Sequence, residues 1–345
     1  MLEAFRCFLR GHGPRSRQTA ALLGRLQKML RLLDGSGSNI RTHREPIDAV
    51  WTWVDGNCDG FLRARNAIST AGVTANGSTR ARWESGHEID FSILSVLRFC
   101  PWVRNLYIVV GYGEKPRVSS VLGDRIRYIR HADILPEQSL PTCNSSGIEC
   151  YLDRIPGLSD RFLYLNDDMF IGRPLSQSDF IDPFGRTKMR EEFSAPDVWK
   201  TTDPDHAYVS SMANSEMLLD DAFGLAPRRA THHQCRLLSK RGFDEARRRF
   251  PEAFAATVET PFRSVENIVP PHLALYCDLY SGHAVLDNEL ISFVYYLGER
   301  GFAHGLERIE KFRPHLFCLN DGEQTSALHR HLATISLCKY YFSNS

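Results

Sequence analysis

The sequence predicts an α/β fold built on a mostly parallel sheet, and three observations carry that reading. Short strand-like segments recur at 47–54, 105–110, 125–130 and 162–165, apolar except for the arginine-alternating third. Stretches of helical pattern stand between them, at 88–99 and 145–152. Polar residues then follow the strand ends: Asp55-Gly56 after the first run, Asp167-Asp168 after the fourth. Open α/β sheets bind their ligands outside the carboxyl ends of strands, so both pairs stand where chemistry is expected.

Composition narrows the class. At 345 residues the chain can bury one large core or two modest ones. Its 43% hydrophobic and 24% charged content is ordinary for a soluble globular enzyme. A net charge of +1 argues against nucleic acid as a main partner, which would need a concentrated basic surface. The nine cysteines form no C-x-x-C pair and are odd in number, so a disulfide framework is not expected and a reducing cytoplasm fits. No run approaches the ~20 apolar residues of a membrane span, and residues 1–10 are too broken by charge for a secretory signal.

Taken in order, residues 1–45 form a basic arm with nine Arg or Lys. Within it Leu22, Leu26, Met29, Leu30 and Leu33 fall on one helical face. A basic amphipathic helix suits the inner face of an anionic membrane, the body of its own domain or a partner chain, and all three readings stand. Residues 34–39 read as a glycine-serine linker, after which 46–345 reads as the catalytic domain. Asp55-Gly56 reads either as a turn or as a contact to a nucleotide beside the first strand. The polar stretch 58–87, with Arg63, Arg65, Arg80 and Arg82, is expected to be a mobile loop facing a negatively charged ligand. A helix over 88–99 ends at Pro101. Asp167 and Asp168 close the 162–165 strand, where adjacent carboxylates repel and a divalent cation is the usual relief. A plain turn explains the same residues equally well. After Gly172 the pattern loosens, and 173–232 is expected to be a helical or irregular insertion or cap. Residues 243–254 read as one basic helix with a solvated face. His232-His233, Phe262-Arg263-Ser264 and Leu319-Asn320-Asp321-Gly322 are polar sites that can return to the sheet. There is no G-x-G-x-x-G and no Walker loop.

Together these segments resemble the Stealth family of phosphosugar transferases. Four blocks carry the resemblance in order, from 47 to 321. The first is Thr52-Trp53-Val54-Asp55-Gly56. The second runs through 101–109, 140–145 and Arg154-Ile155-Pro156-Gly157 to Asn166-Asp167-Asp168. In the third, the family histidine falls on His233 and its Phe-Arg-Ser on Phe262-Arg263-Ser264, with 250–254 setting the register. The fourth is Cys318-Leu319-Asn320-Asp321. Departures occur at Asp90, which replaces the family arginine, at Gly111-Tyr112, and at Asp153, which stands before Arg154 in place of histidine.

The resemblance implies a Rossmann-like, GT-A-like sheet with helices on both faces. It also implies transfer of a hexose- or N-acetylhexosamine-1-phosphate from a UDP-sugar to a glycan hydroxyl. UMP would leave and a phosphodiester would form, as in capsular or exopolysaccharide synthesis. Mg²⁺ or Mn²⁺ on Asp168 and Asp321, helped by Asp167, would neutralise the diphosphate. Arg263 would fork onto phosphate oxygens and His233 would take the acceptor proton. Asp55, Gly56, Asn144, Arg154 and Asn320 would contact the substrates. The rival readings are a metal-dependent glycosyltransferase releasing UDP and a non-catalytic binding protein.

Overall fold

The computed structural model describes residues 45–68, 88–192, 202–321 and 324–342. Residues 1–44 lie outside them, so the expected basic helix is not described, nor are Arg80 and Arg82.

A five-stranded sheet organises the chain, in the order β3-β2-β1-β4-β7. Its strands are β1 (Ile47–Thr52), β2 (Leu106–Val110), β3 (Ile126–Arg130), β4 (Arg161–Asn166) and β7 (Arg236–Ser239). The first four are mutually parallel, with Ala49 opposite Leu106, Thr52 opposite Asn166, and Leu106 opposite Ile126. Only β7 runs the other way, with Tyr164 opposite Arg236. The carboxyl ends of four strands therefore share one edge. β1 is apolar at nearly every position because it is covered on both faces, as central parallel strands are. Its one charged residue, Asp48, is fully buried and accepts from Arg104 and from the Ser159 N–H, which ties both crossovers to the strand.

Two helical layers cover the sheet. The first contains α2 (Glu88–Phe99), α8 (Phe302–Phe312) and α9 (Ala327–Phe342), which share a core with Ile47, Ala49 and Trp51. The second contains α3 (Ser145–Glu149), α5 (Lys240–Arg249), α6 (Pro251–Glu259) and α7 (Pro270–Tyr280), packed on Val50, Phe162 and Tyr164.

A smaller sheet, β5-β10-β9, grows from the end of β4. Here β5 (Met169–Ile171) pairs antiparallel with β10 (Leu316–Asp321), and β10 runs parallel to β9 (Ser292–Leu297). Two serines of α2 lock β5 in place: Ser92 donates to the Met169 carbonyl and Ser95 Oγ accepts from the Ile171 N–H. A two-stranded parallel ribbon, β6 (Thr187–Met189) with β8 (Ala284–Leu286), completes the strands.

Two local expectations change and a third gains detail. Part of the 58–87 stretch is helical, α1 (Asp59–Ala67), with Phe61 buried beside Phe262. The basic stretch 243–254 is two helices, because Pro251 has no N–H to continue α5 and instead starts α6 at its first turn. Its face is not simply solvated: Arg247 is mostly buried and pairs with Asp153 at 2.6 Å. Within 173–232, expected to be a helical or irregular insertion or cap, α4 (Ala207–Phe223) is a 17-residue helix.

Candidate active site

Asp167 and Asp168 form the tight turn where the large sheet hands over to the small one. Because β5 doubles back along β10, the Leu319 N–H donates to the Asp168 carbonyl at 3.0 Å. Cys318 is thereby set beside the Asp168 side chain, with its thiol 3.2 Å from Oδ2. Asn320 and Asp321 are the last two residues of β10. From the other side, β7 runs antiparallel to β4, so the residues just before it return to the same edge. That brings His233 Nε2 to 3.9 Å from Asp168 Oδ2, although the two are far apart in sequence. Arg263 donates from Nε to Ser145 Oγ at 2.7 Å, and its charge reaches Asp168, His233 and Glu149.

The electrostatics follow from crowding of carboxylates in a partly dry turn. Burial, then the neighbouring Asp168, Glu88 and Asp321, hold the Asp167 carboxyl well above its ordinary range. Burial pushes Asp168 up to about 6, against the opposing pull of the Cys318 thiol and Arg263. His233 is pushed down to about 3, first by burial and then by Arg236, Arg263 and His232. At neutral pH the imidazole is therefore uncharged, with a lone pair to offer. The Cys318 thiol is raised well above its ordinary value by burial and by Asp168, so it acts as an S–H donor.

A cation fits this donor set. Asp168 Oδ1 and Asn166 Oδ1 are buried without a hydrogen-bond partner among the described residues, a costly state for an acceptor in a low-dielectric site. Asp321 is close enough to Asp167 to help raise its proton affinity. Asp321 Oδ2 also accepts from Arg330 Nε at 2.7 Å, which fixes that carboxylate's orientation. Asp168, His233 and Cys318 each offer one donor atom within 4.8 Å of the others.

The remaining expected residues divide. Asp55 sits just past β1 on the same edge, and its turn is real: Oδ1 accepts from the Asn57 N–H at 2.9 Å, with Gly56 inside the turn. Asn320 lies half-buried on β10, opposite Tyr296. Asn144, expected to contact substrate, is engaged by the fold in this arrangement. It is fully buried, caps α3 through the Ser146 N–H, and places its amide nitrogen within 3.1 Å of acceptors on Thr257, Thr260 and Asn267. Asn267 in turn accepts from the Ser264 N–H, so Asn144 holds the loop that carries Arg263. Arg154 lies at the wrong edge. It pairs with Asp153 and with Asp244 of α5, and that helix starts where Ser239 faces Arg161 at the amino end of β4.

Several site residues had no signal of their own in the sequence. Cys318 was present only as a letter in its motif. Glu149, within the 145–152 helical stretch, accepts from the Tyr164 hydroxyl at 2.7 Å, which is itself 3.0 Å from Thr52 Oγ1. Arg236 carries charge felt by His233, Glu149 and Cys318, and only the β4–β7 pairing places it there.

Comparison with known proteins identifies the relatives of this chain. Residues 82–189 match Stealth protein CR2, conserved region 2. The exopolysaccharide phosphotransferase CpsY of Mycobacterium tuberculosis is 34% identical over 305 residues, covering 86% of this chain and 56% of that protein. The exopolysaccharide phosphotransferase SCO6023 of Streptomyces coelicolor is 34% identical over 309 residues, covering 86% and 51%. The chain thus spans about half the length of these relatives. Among solved structures, galactosyltransferase LgtC in complex with donor and acceptor sugar analogues aligns with a TM-score of 0.43 at 12% identity, over 84% of this chain and 95% of that one. With conserved region 2 in place and relatives aligned along most of its length, the chain belongs to the Stealth family.

Proposed function

We propose that the chain is a phosphotransferase of exopolysaccharide synthesis, moving a sugar 1-phosphate from a UDP-sugar to a hydroxyl of a saccharide acceptor. The observation that carries this is the meeting of Asp168, His233 and Cys318 at one strand end, with Asp167, Asp321 and Arg263 in electrostatic reach. The relatives named exopolysaccharide phosphotransferases support the same class.

In this reading the acceptor oxygen attacks the β-phosphorus of the donor. A new P–O bond forms, the bond from that phosphorus to the bridging oxygen breaks, and UMP leaves with the electron pair. His233 takes the acceptor proton through its neutral imidazole, a role that its depressed proton affinity permits at neutral pH. Bound diphosphate beside it would raise that affinity by offsetting the Arg236 and Arg263 charges that help hold it down. Arg263 faces the phosphoryl oxygens and holds the charge that develops there. Asp167, Asp168 and Asp321 would hold Mg²⁺ or Mn²⁺, which neutralises diphosphate charge when bound. Asp55 and Asn320 face the same edge and serve the nucleotide and sugar.

The test is a nucleotide assay. The full chain is incubated with Mg²⁺, a panel of UDP-sugars and an oligosaccharide acceptor, and the released nucleotide is identified. UMP with a phosphodiester product is expected, and excess EDTA should abolish it. Release of UDP would instead mean attack at the anomeric carbon and glycosyl transfer.

A further inference from the structure

Three donor atoms of different chemical hardness converge beside the turn at Asp168. Oδ2 of that residue lies 3.2 Å from Cys318 Sγ and 3.9 Å from His233 Nε2. Zn²⁺ takes thiolate at ~2.3 Å and imidazole nitrogen or carboxylate oxygen at ~2.0 Å in a tetrahedron, which sets its ligand atoms roughly 3.3–3.6 Å apart. The two separations from Asp168 lie within about half an ångström of that spacing, and all three donors lie within 4.8 Å of one another. The second oxygen of Asp168 is buried without a partner among the described residues, so the carboxylate is not already consumed by the fold. The Asp168 and His233 side chains keep 17% and 21% exposure, which leaves an entry path and an open fourth position. A hard ion such as Mg²⁺ demands oxygen ligands and does not select a sulfur and a nitrogen.

We propose that Asp168, His233 and Cys318 form a site for a thiophilic divalent cation of the Zn²⁺ class, which overlaps the oxygen-donor set of Asp167, Asp168 and Asp321 and switches the enzyme off. On binding, the Cys318 S–H gives its proton to solvent and the sulfur lone pair bonds the metal. His233 contributes its neutral nitrogen, Asp168 contributes one carboxylate oxygen, and no electron is transferred. With that lone pair engaged, His233 has nothing left to accept the acceptor's proton, and Asp168 is lost to the harder cation. The inhibitory half rests on the catalytic reading above, whereas the binding half stands on geometry alone.

The two halves separate in one experiment that uses Co²⁺ as a spectroscopic probe of the full chain. Wild type should bind one equivalent of Co²⁺ with a near-ultraviolet sulfur-to-cobalt charge-transfer band. Zn²⁺ should displace it, and millimolar Mg²⁺ should not. Cys318→Ser should lose the band, and His233→Ala, a change at a partly exposed side chain, should weaken Co²⁺ binding at least tenfold. No band in wild type, a band retained in Cys318→Ser, or unchanged affinity in His233→Ala would overturn the site. In turnover assays, Zn²⁺ should inhibit wild type at a concentration at least tenfold below that needed for Cys318→Ser. Tight binding without inhibition would leave the site standing and remove both the switch and the catalytic role of His233.

Discussion

At the residue scale, the side chains that matter differ in what they do, so their loss should differ in kind. His233→Ala should lower the acceptor-dependent rate by roughly 10²- to 10⁴-fold, the range for a lost general base, with UDP-sugar binding largely kept. Arg263→Ala should weaken donor binding as well as rate, because phosphate charge is present in both the ground and transition states. Steady-state kinetics with separately varied donor and acceptor checks both, and matching profiles for the two variants would refute the division of labour. Asn144→Ala makes a different prediction. It removes the cap of α3 and strands buried acceptors on Thr257, Thr260 and Asn267. The cost should be roughly 2–4 kcal/mol, read as a Tm drop of several degrees, with donor binding weakened through the loosened Arg263 loop. Asp168 and His233 were legible in the sequence because their types carry chemistry wherever they stand. The structural work of Asn144 was not legible for the same reason: a polar residue inside a motif looks like a ligand contact, and only its burial shows that it also ties two segments together.

At the element scale, α2 and the segment after β3 carry two buried titratable groups whose effects on stability oppose each other. Burial raises Asp90 to about 6, although the Val118 N–H and Arg117 favour its charged form. Its contribution is therefore fully present below its ordinary value of 3.8 and is lost as pH rises through about 6. Burial lowers His131 to about 4, so its contribution is present above 6.5 and is lost as pH falls through about 4. Each shift is on the order of 3 kcal/mol, and the two slopes largely cancel between pH 4 and 6.5. Asp90→Asn keeps an oxygen to accept from Val118 and should raise Tm at pH 8, while exposing the uncompensated loss of stability toward pH 4. Thermal melts across pH 4–8 check it, and a variant that tracks wild type at every pH would refute the assignment. The helix over 88–99 and the strands β1, β2 and β4 were readable because burial leaves near-continuous apolar runs, whereas the edge strand β3 shows only an apolar alternation. The helix Ala207–Phe223 was not, since buried small polar residues such as Ser211 and Ser215 bond back to its own carbonyls and break the apolar stripe.

At the scale of the whole molecule, the site exists only because the small sheet is pressed against the end of the large one. No periodicity within one segment shows this, because β5 and β10 are separated by nearly half the chain and meet through pairing alone. The sequence placed Asp321 near Asp168 only through the order of the family motifs. The closest point of the junction is Gly172, whose N–H donates to the His315 carbonyl at 2.8 Å and whose carbonyl accepts from the Tyr340 hydroxyl at 2.7 Å. A Cβ at this position would fall on the Pro314 carbonyl oxygen, backbone that cannot swing away like a flexible side chain. Gly172→Ala should therefore push β10 off β5 and cost roughly 1–3 kcal/mol, as overpacking does. The loss should also be local: amide exchange at Cys318 and Leu319 should speed up, while amides at Val50 and Trp51 in β1 stay protected. Turnover should fall with it, since Asp321 would no longer be held beside Asp168. If exchange rises uniformly across both sheets, or not at all, then the small sheet is not held to the large one at this contact.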